Sequence, residues 1–377
     1  MAYITDLFQF ITGYIIPFLL VLTLIVFVHE MGHYLAGRWS GIRITAFSIG
    51  FGPELLGFND RHGTRWKISA IPLGGYVKFY GDEDAASRPD YEALARLAPG
   101  DRDRTFLGAT LWKRAVTVAA GPIANFLLAI AIFAVIFSIY GRQVADPVVA
   151  ELKPGSAAAK AGVLPGDRLV SIDGTTVTTF DDVRRYVSVR PEQPITIGIE
   201  RGGEFLDLTM VPERTELTDE FGNKMEVGLI GIVTNQEAGN FRVIEYGPVE
   251  AVGQGALQSW HIVTGTFNYL WNLVTGHMKA DQLGGPIRVA QASGQMATLG
   301  VAAVLQLAAV LSVSIGLLNL MPVPVLDGGH LVFYAVEAIR GKPVGPRTQD
   351  IAFRIGFAMV LMLMVFATWN DISMLAG

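Results

Sequence analysis

Apolar residues along this chain gather into a few long runs. The first is uncharged from Leu7 to Val28 and then meets the polar cluster His29-Glu30-Met31-Gly32-His33. A second lies between Arg114 and Arg142 and is rich in Ala, Ile and Phe. The third falls inside the uncharged stretch Val289 to Leu326, from about Leu299 to Met321, and the fourth is Ile355 to Trp369. A helix that crosses a bilayer needs about 20 mostly apolar residues, so the pattern predicts four transmembrane helices. No basic residue precedes the first run and no small-x-small cleavage pattern follows it, which reads as a retained span and not a signal peptide. A fifth uncharged stretch, Ala251 to Met278, has a different pattern. Leu257, Trp260, Val263, Phe267, Trp271, Val274 and Met278 recur at helical spacing among Gln, Ser, Thr, Asn and two His. That spacing predicts an amphipathic helix lying in the membrane interface.

Composition agrees: 51% of the 377 residues are hydrophobic and only 17% charged, with a mean hydropathy of +0.40, whereas soluble domains carry about 25% charged residues. Such a chain is too apolar to be disordered. A net charge of -5 leaves no basic footprint for nucleic acid. The absence of cysteine excludes disulfides, iron–sulfur clusters, thiolate zinc sites and cysteine nucleophiles. Any metal must therefore be held by His, Asp or Glu.

Loop charge sets the expected orientation, because short cytoplasmic loops collect Lys and Arg. Gly37 to Arg114 holds 12 basic against 9 acidic residues, and Ile139 to Gly300 holds 13 against 19. Arg340, Lys342, Arg347 and Arg354 follow the third run. The acidic segment is expected outside, with both termini pointing outward.

The cluster His29-Glu30-Met31-Gly32-His33 is an HExxH pattern. On a helix, positions i and i+4 share a face, so both imidazoles can reach one zinc ion. The adjacent Glu30 is placed to take a proton from the attacking water. A shuffled chain of this composition would hold about 0.003 such patterns. Two histidines are insufficient, since a catalytic zinc typically has three protein ligands and one open position. The next 21 residues offer only Glu54 among acids and no His. The outstanding acid is Asp327, the only charged residue between Arg288 and Glu337. It closes Asn319-Leu-Met-Pro-Val-Pro-Val-Leu-Asp327-Gly-Gly-His330, where Pro322 and Pro324 break the helix and the glycines permit a tight turn. Irregular backbone at membrane depth is tolerated where it lines a cavity. A zinc shared by His29, His33 and Asp327 accounts for both motifs, and the implied reaction is peptide-bond hydrolysis in or beside the membrane.

HEMGH at the end of an apolar run, paired with NLMPVPVLDGGH, resembles the site-2 protease family of intramembrane zinc metalloproteases, most closely its bacterial RseP-like branch. The resemblance implies a polytopic α-helical membrane protein of the bacterial inner membrane, with a membrane-associated β-hairpin region and one α+β periplasmic PDZ domain. It implies His29, His33 and Asp327 as zinc ligands, Glu30 as catalytic acid/base, and Asn319 as a holder of substrate backbone. It also implies regulated intramembrane proteolysis of single-span substrates, such as anti-sigma factors after a first cut, and of remnant signal peptides.

Within that frame, residues 1–143 form an N-terminal membrane half. Ile44 to Tyr80 reads as short strands with glycine turns, matching in position the family's β-loop, and an exposed edge there could pair with an extended substrate. Phe51 and Gly52 are its expected substrate contacts. Ala120-Gly-Pro-Ile-Ala-Asn125-Phe resembles the family's GPxxNF element, with Gly121 allowing close helix approach and Asn125 a buried polar group placed for core packing or substrate contact. Residues 144–213 have the strand and helix order of a PDZ domain, which would tether or filter substrates. Residues 214–298 form a connector with the interfacial helix, and 299–377 the C-terminal membrane half. Among the remaining histidines, His62, His261, His277 and His330 read as hydrogen-bonded or solvated. Two other readings compete: a metal-ion transporter, for which internal repeats are lacking, and a non-catalytic PDZ membrane adaptor.

Overall fold

The computed structural model describes residues 11–81, 97–218, 224–233, 241–275 and 284–376. It divides into two compact units, Met1–Ala134 with Val252–Thr266 and Leu283–Gly377, and Val135–Ala251 with Phe267–Gln282. In the first unit a π-helical turn (Ile11–Ile15) leads into helix α1 (Ile16–Trp39). Pro17 falls in the first turn, where a missing N–H breaks no helical bond. The helix runs on through the HEMGH cluster and tolerates its one glycine, Gly32, in the interior.

Strands β1 (Ile44–Asn59) and β2 (Arg65–Phe79) are antiparallel, yet they form more than a simple hairpin. Phe47 faces Val77 on one side and Trp66 on the other, while Asn59 pairs with Arg65. Each strand therefore doubles back, giving four segments in the order 54–59, 65–69, 44–49, 75–79. Gly50, Gly52 and Gly74, all with positive φ, sit at the bends. Phe47 is buried, stacked on Trp66 at 4.4 Å between ring centroids and edge-on to Tyr34. Helix α2 (Leu111–Ile139) completes this part, with Pro122 inside it.

The second unit is α+β. A four-stranded antiparallel sheet has the order β6 (Thr175–Thr176), β5 (Arg168–Ile172), β7 (Ile195–Arg201), β8 (Glu204–Met210). Alternate residues of β7, namely Ile195, Ile197 and Ile199, are at most 1% exposed and pack with Leu169 and Ile172. Helix α3 (Ala157–Lys160) is capped by Ser156, and helix α4 (Phe180–Ser188) by a Thr179–Asp182 capping box. Around the sheet, β3 (Arg142–Ala145) pairs with β12 (Phe241–Ile244), β4 (Glu151–Leu152) with β11 (Ile232–Val233), and β9 (Glu213–Thr218) with β10 (Lys224–Leu229). The boundary expected at residue 213 falls inside this unit. Ile230 enters the core, its carbonyl accepts from the Ala158 N–H at 2.9 Å, and β11 closes on β4.

Helices α5 (Pro248–Val274), α6 (Pro286–Thr298), α7 (Val301–Asn319), α8 (Asp327–Arg340) and α9 (Pro346–Ala376) follow. Four helices are long and apolar enough to cross a membrane among the described residues: those over Ile11–Trp39, Leu111–Ile139, Val301–Asn319 and Pro346–Ser373. The last exceeds the expected Ile355–Trp369 at both ends, because its polar flanks at residues 346–354 and 370–373 hold helix as well as its apolar centre does. The expected interfacial helix corresponds to α5, on which Leu257, Trp260, Phe267 and Trp271 are exposed; His277 and Met278 lie outside the described residues. Two buried ion pairs fix the first unit. Asp371 accepts the Gly285, Ile287 and Arg288 N–H groups at the start of α6 and pairs with the Arg288 guanidinium. Arg114 of α2 grips Glu337 of α8 with both terminal nitrogens, at 2.6 and 3.2 Å, and lies over the Tyr334 ring.

Candidate metal centre

His29 and His33 stand one turn apart on α1 and face α2. The backbones can approach there because both surfaces are glycine: a Cβ at Gly121 would strike both imidazoles, lying 3.0 Å from His29 Cε1, and one at Gly32 would strike the Ala120 carbonyl. The third group comes from the far end of the chain. After α7 the sequence Met-Pro-Val-Pro turns tightly, and α8 begins at Asp327. A Cβ on Gly328 would overlap the carbonyl oxygens of Leu320 and Met321, so the turn closes this far only with glycine. Standing in the first turn of α8, the Asp327 carboxylate is also favoured by the helix dipole.

The three side chains converge. His29 Nε2 lies 3.1 Å from His33 Nε2 and 3.2 Å from Asp327 Oδ2, and His33 Nε2 lies 3.5 Å from Asp327 Oδ2. Bonds of about 2.0–2.1 Å to a tetrahedral ion place its ligand atoms about 3.3 Å apart, and these spacings bracket that value. Asp327 Oδ2 is buried without a hydrogen-bond donor. Two imidazole nitrogens and a carboxylate oxygen, with no thiolate, form a donor set that suits zinc and leaves a fourth position open. The Nδ1 of His33 faces the Thr117 carbonyl at 2.9 Å, so the proton sits there and the Nε2 lone pair turns inward.

The site residues Glu30, His29, His33 and Asp327 line one cavity of about 230 Å³, together with Asn319 and His330. Tyr76 and Val77 also line it, on the 75–79 segment whose outer edge has no strand partner among the described residues. Glu30 lies against this segment: a Cβ at Gly75 would sit 3.0 Å from Glu30 Cγ. Phe51 and Gly52 do not line the cavity. They lie at the bend of β1, with Phe51 41% exposed and stacked at 6.1 Å on Tyr76, which does line the cavity. Glu54 pairs with Arg65 and takes no part in the cluster. His330 lines the cavity but lies against Phe353 and outside the convergent donor set. The Thr117 carbonyl had no signal in the sequence, because a backbone oxygen works at any residue type.

Comparison with known proteins agrees with this chemistry. Residues 17–363 match peptidase family M50. A protein of Rhizobium meliloti is 77% identical over 365 residues, covering 97% of this chain and 98% of its own. One of Agrobacterium fabrum is 72% identical over 368 residues, covering 98% of each chain. Both carry the name "Putative zinc metalloprotease". Among solved structures, the PDZ domain of an SdrC-like protein from Listeria monocytogenes aligns with 24% of this chain and 87% of its own, at 19% identity and a TM-score of 0.19.

Proposed function

Because the chain belongs to peptidase family M50 and is a membrane-embedded zinc metalloprotease, we propose that His29, His33 and Asp327 hold the zinc and that Glu30 is the catalytic acid/base. The observation that carries this reading is the convergence of three donor atoms within 3.5 Å of one another, from segments at opposite ends of the chain. When bound, zinc supplies Lewis acidity toward the scissile carbonyl. Glu30, in the same cavity, takes a proton from the attacking water as its oxygen adds to the carbonyl carbon. It returns a proton to the nitrogen as the C–N bond breaks, so the products are a carboxylic acid and an amine, which ionise to carboxylate and ammonium.

A peptide bond inside a helix is shielded by its own turns, so the substrate must be extended at the cut. The open edge of 75–79 beside Glu30 supports strand addition as the means of holding it. The Asn319 amide at the end of α7 offers both a donor and an acceptor to the same backbone. The substrates on this reading are transmembrane segments of single-span proteins, among them anti-sigma factors already shortened outside. The enzyme then works in the bacterial inner membrane with its second unit, read as one PDZ domain, in the periplasm. Loop charge supports that orientation.

The test is zinc content and cleavage of a single-span substrate by the purified full chain in proteoliposomes. Wild type is expected to carry about one zinc, and His33→Ala and Asp327→Ala to lose it along with cleavage. Glu30→Gln is expected to keep zinc and lose at least 10²–10⁴-fold in rate. Stoichiometric zinc in Asp327→Ala overturns the ligand set.

A further inference from the structure

Asn125 takes no part in the chemistry above, yet it is fully buried. It lies one turn beyond Gly121, on the face of α2 that meets the two imidazoles. Its backbone is held from the other side as well. The Asn125 carbonyl accepts from Ser312 Oγ of α7 at 2.8 Å, and a Cβ at Gly316 would sit 3.3 Å from Asn125 Cβ. The Asn125 backbone is therefore held beside the imidazoles. One amide atom, placed as Nδ2, is 3.3 Å from His29 Nδ1, while Oδ1 is buried with no hydrogen-bond partner.

The protonation of His29 decides which amide atom belongs there. Its Nε2 points at His33 Nε2 and Asp327 Oδ2. A neutral imidazole has one N–H and one lone pair. With the Nε2 lone pair on the cation, the proton is on Nδ1 and needs an acceptor, which an amide NH₂ cannot be. Oxygen and nitrogen of an amide are told apart by their partners. A half-turn of the Asn125 amide places Oδ1 at Nδ1 and gives the orphaned oxygen its donor. His33 already shows the same arrangement, with the Thr117 carbonyl as acceptor.

We propose that Asn125 is a positioning residue for the metal centre: its side-chain oxygen accepts the Nδ1 proton of His29, fixing the tautomer and ring orientation that turn Nε2 toward the zinc. This rests on the reading of His29 as a ligand. Outer partners of this kind are worth about 10–100-fold in metal affinity.

Zinc affinity of the full chain in detergent, measured by competition with a chromogenic chelator, tests it with Asn125→Leu and Asn125→Asp. Leucine fills the volume and removes the acceptor; aspartate keeps an acceptor oxygen and adds a buried charge. The expected result is a 10–100-fold loss of affinity in the leucine variant and, in the aspartate variant, affinity within a few-fold of wild type. A packing role predicts the reverse order. Wild-type affinity in Asn125→Leu, or a greater loss in Asn125→Asp than in Asn125→Leu, overturns the proposal. If Asn125→Leu does not fold, Asn125→Asp decides alone: a loss beyond tenfold overturns it and affinity within a few-fold upholds it. Failure of both to fold assigns Asn125 to packing and also overturns it. His29→Ala separates the two readings. Zinc retained in that variant refutes the ligand set, whereas zinc lost there beside an unresponsive Asn125 pair refutes this inference alone.

Discussion

Helix α8 carries a carboxylate near each end, and the protein surrounds them differently. Glu337 receives both terminal nitrogens of Arg114, so its charge is neutralised and its oxygens are hydrogen-bonded from within the chain. Asp327, ten residues earlier on the same helix, faces two imidazoles, and its Oδ2 has no donor. Asp371 follows the first pattern, with three N–H groups and Arg288. A carboxylate used as scaffold has its donors supplied by the protein. On the proposed reading Asp327 keeps its oxygen for a cation, and that difference separates the two roles where burial alone does not.

The largest expected effect comes from removing Asp327. Asp327→Ala should abolish the thermal stabilisation that zinc gives wild type, and a chelator titration monitored by unfolding midpoint checks this. Glu337→Ala should do the opposite. It strands a buried guanidinium and costs about 3–5 kcal/mol of folded stability, while the folded fraction keeps its zinc, as metal analysis after size-exclusion chromatography would show. Replacing both partners, Arg114→Met with Glu337→Met, should recover most of that loss, because a buried pair can be exchanged for apolar packing at little cost; denaturant unfolding of the double variant measures it. A gain no greater than the single variant would show that the Arg114–Glu337 pair does more than hold α8.

The smallest effect lies in the second unit. The Arg201 guanidinium beside Asp167 holds that carboxyl below its ordinary range. A lowered pKa means stability that is present above the unfolded value of about 3.9 and is lost as pH falls through the folded one. Hydrogen-exchange protection of β5 and β7, taken relative to the intrinsic rate at each pH, should therefore fall below about pH 4 in wild type, and Asp167→Asn should flatten that dependence.

Much of the site is legible in the sequence because membrane segments make charge conspicuous. His29, Glu30 and His33 end an apolar run, and Asp327 is the lone charge in a span of nearly fifty residues. The strand and helix order from Val148 to Val211 reads directly from alternation and turn glycines. Other features are hidden for physical reasons. Alternation in β1 and β2 says that strands form, but not that each doubles back to make four segments; pairing depends on where Gly50, Gly52 and Gly74 bend. Phe51 therefore looks like a cleft residue in sequence and lies outside the cavity in space. The return of Ile230 to the core of the second unit, after an intervening hairpin, leaves no local pattern in the sequence. The Arg114–Glu337 pair, 223 residues apart, leaves no local trace either.

The ligand set has a consequence for how this protease comes into being. Nearly three hundred residues separate the imidazole pair from the carboxylate. During synthesis the first span with His29 and His33 enters the lipid long before residue 327 leaves the ribosome. On the proposed ligand set, the nascent polypeptide until then has two donors of three. On that same set, hydrolytic power emerges only once the segment that carries Asp327 has been made, and a product that stops short of it lacks the third donor.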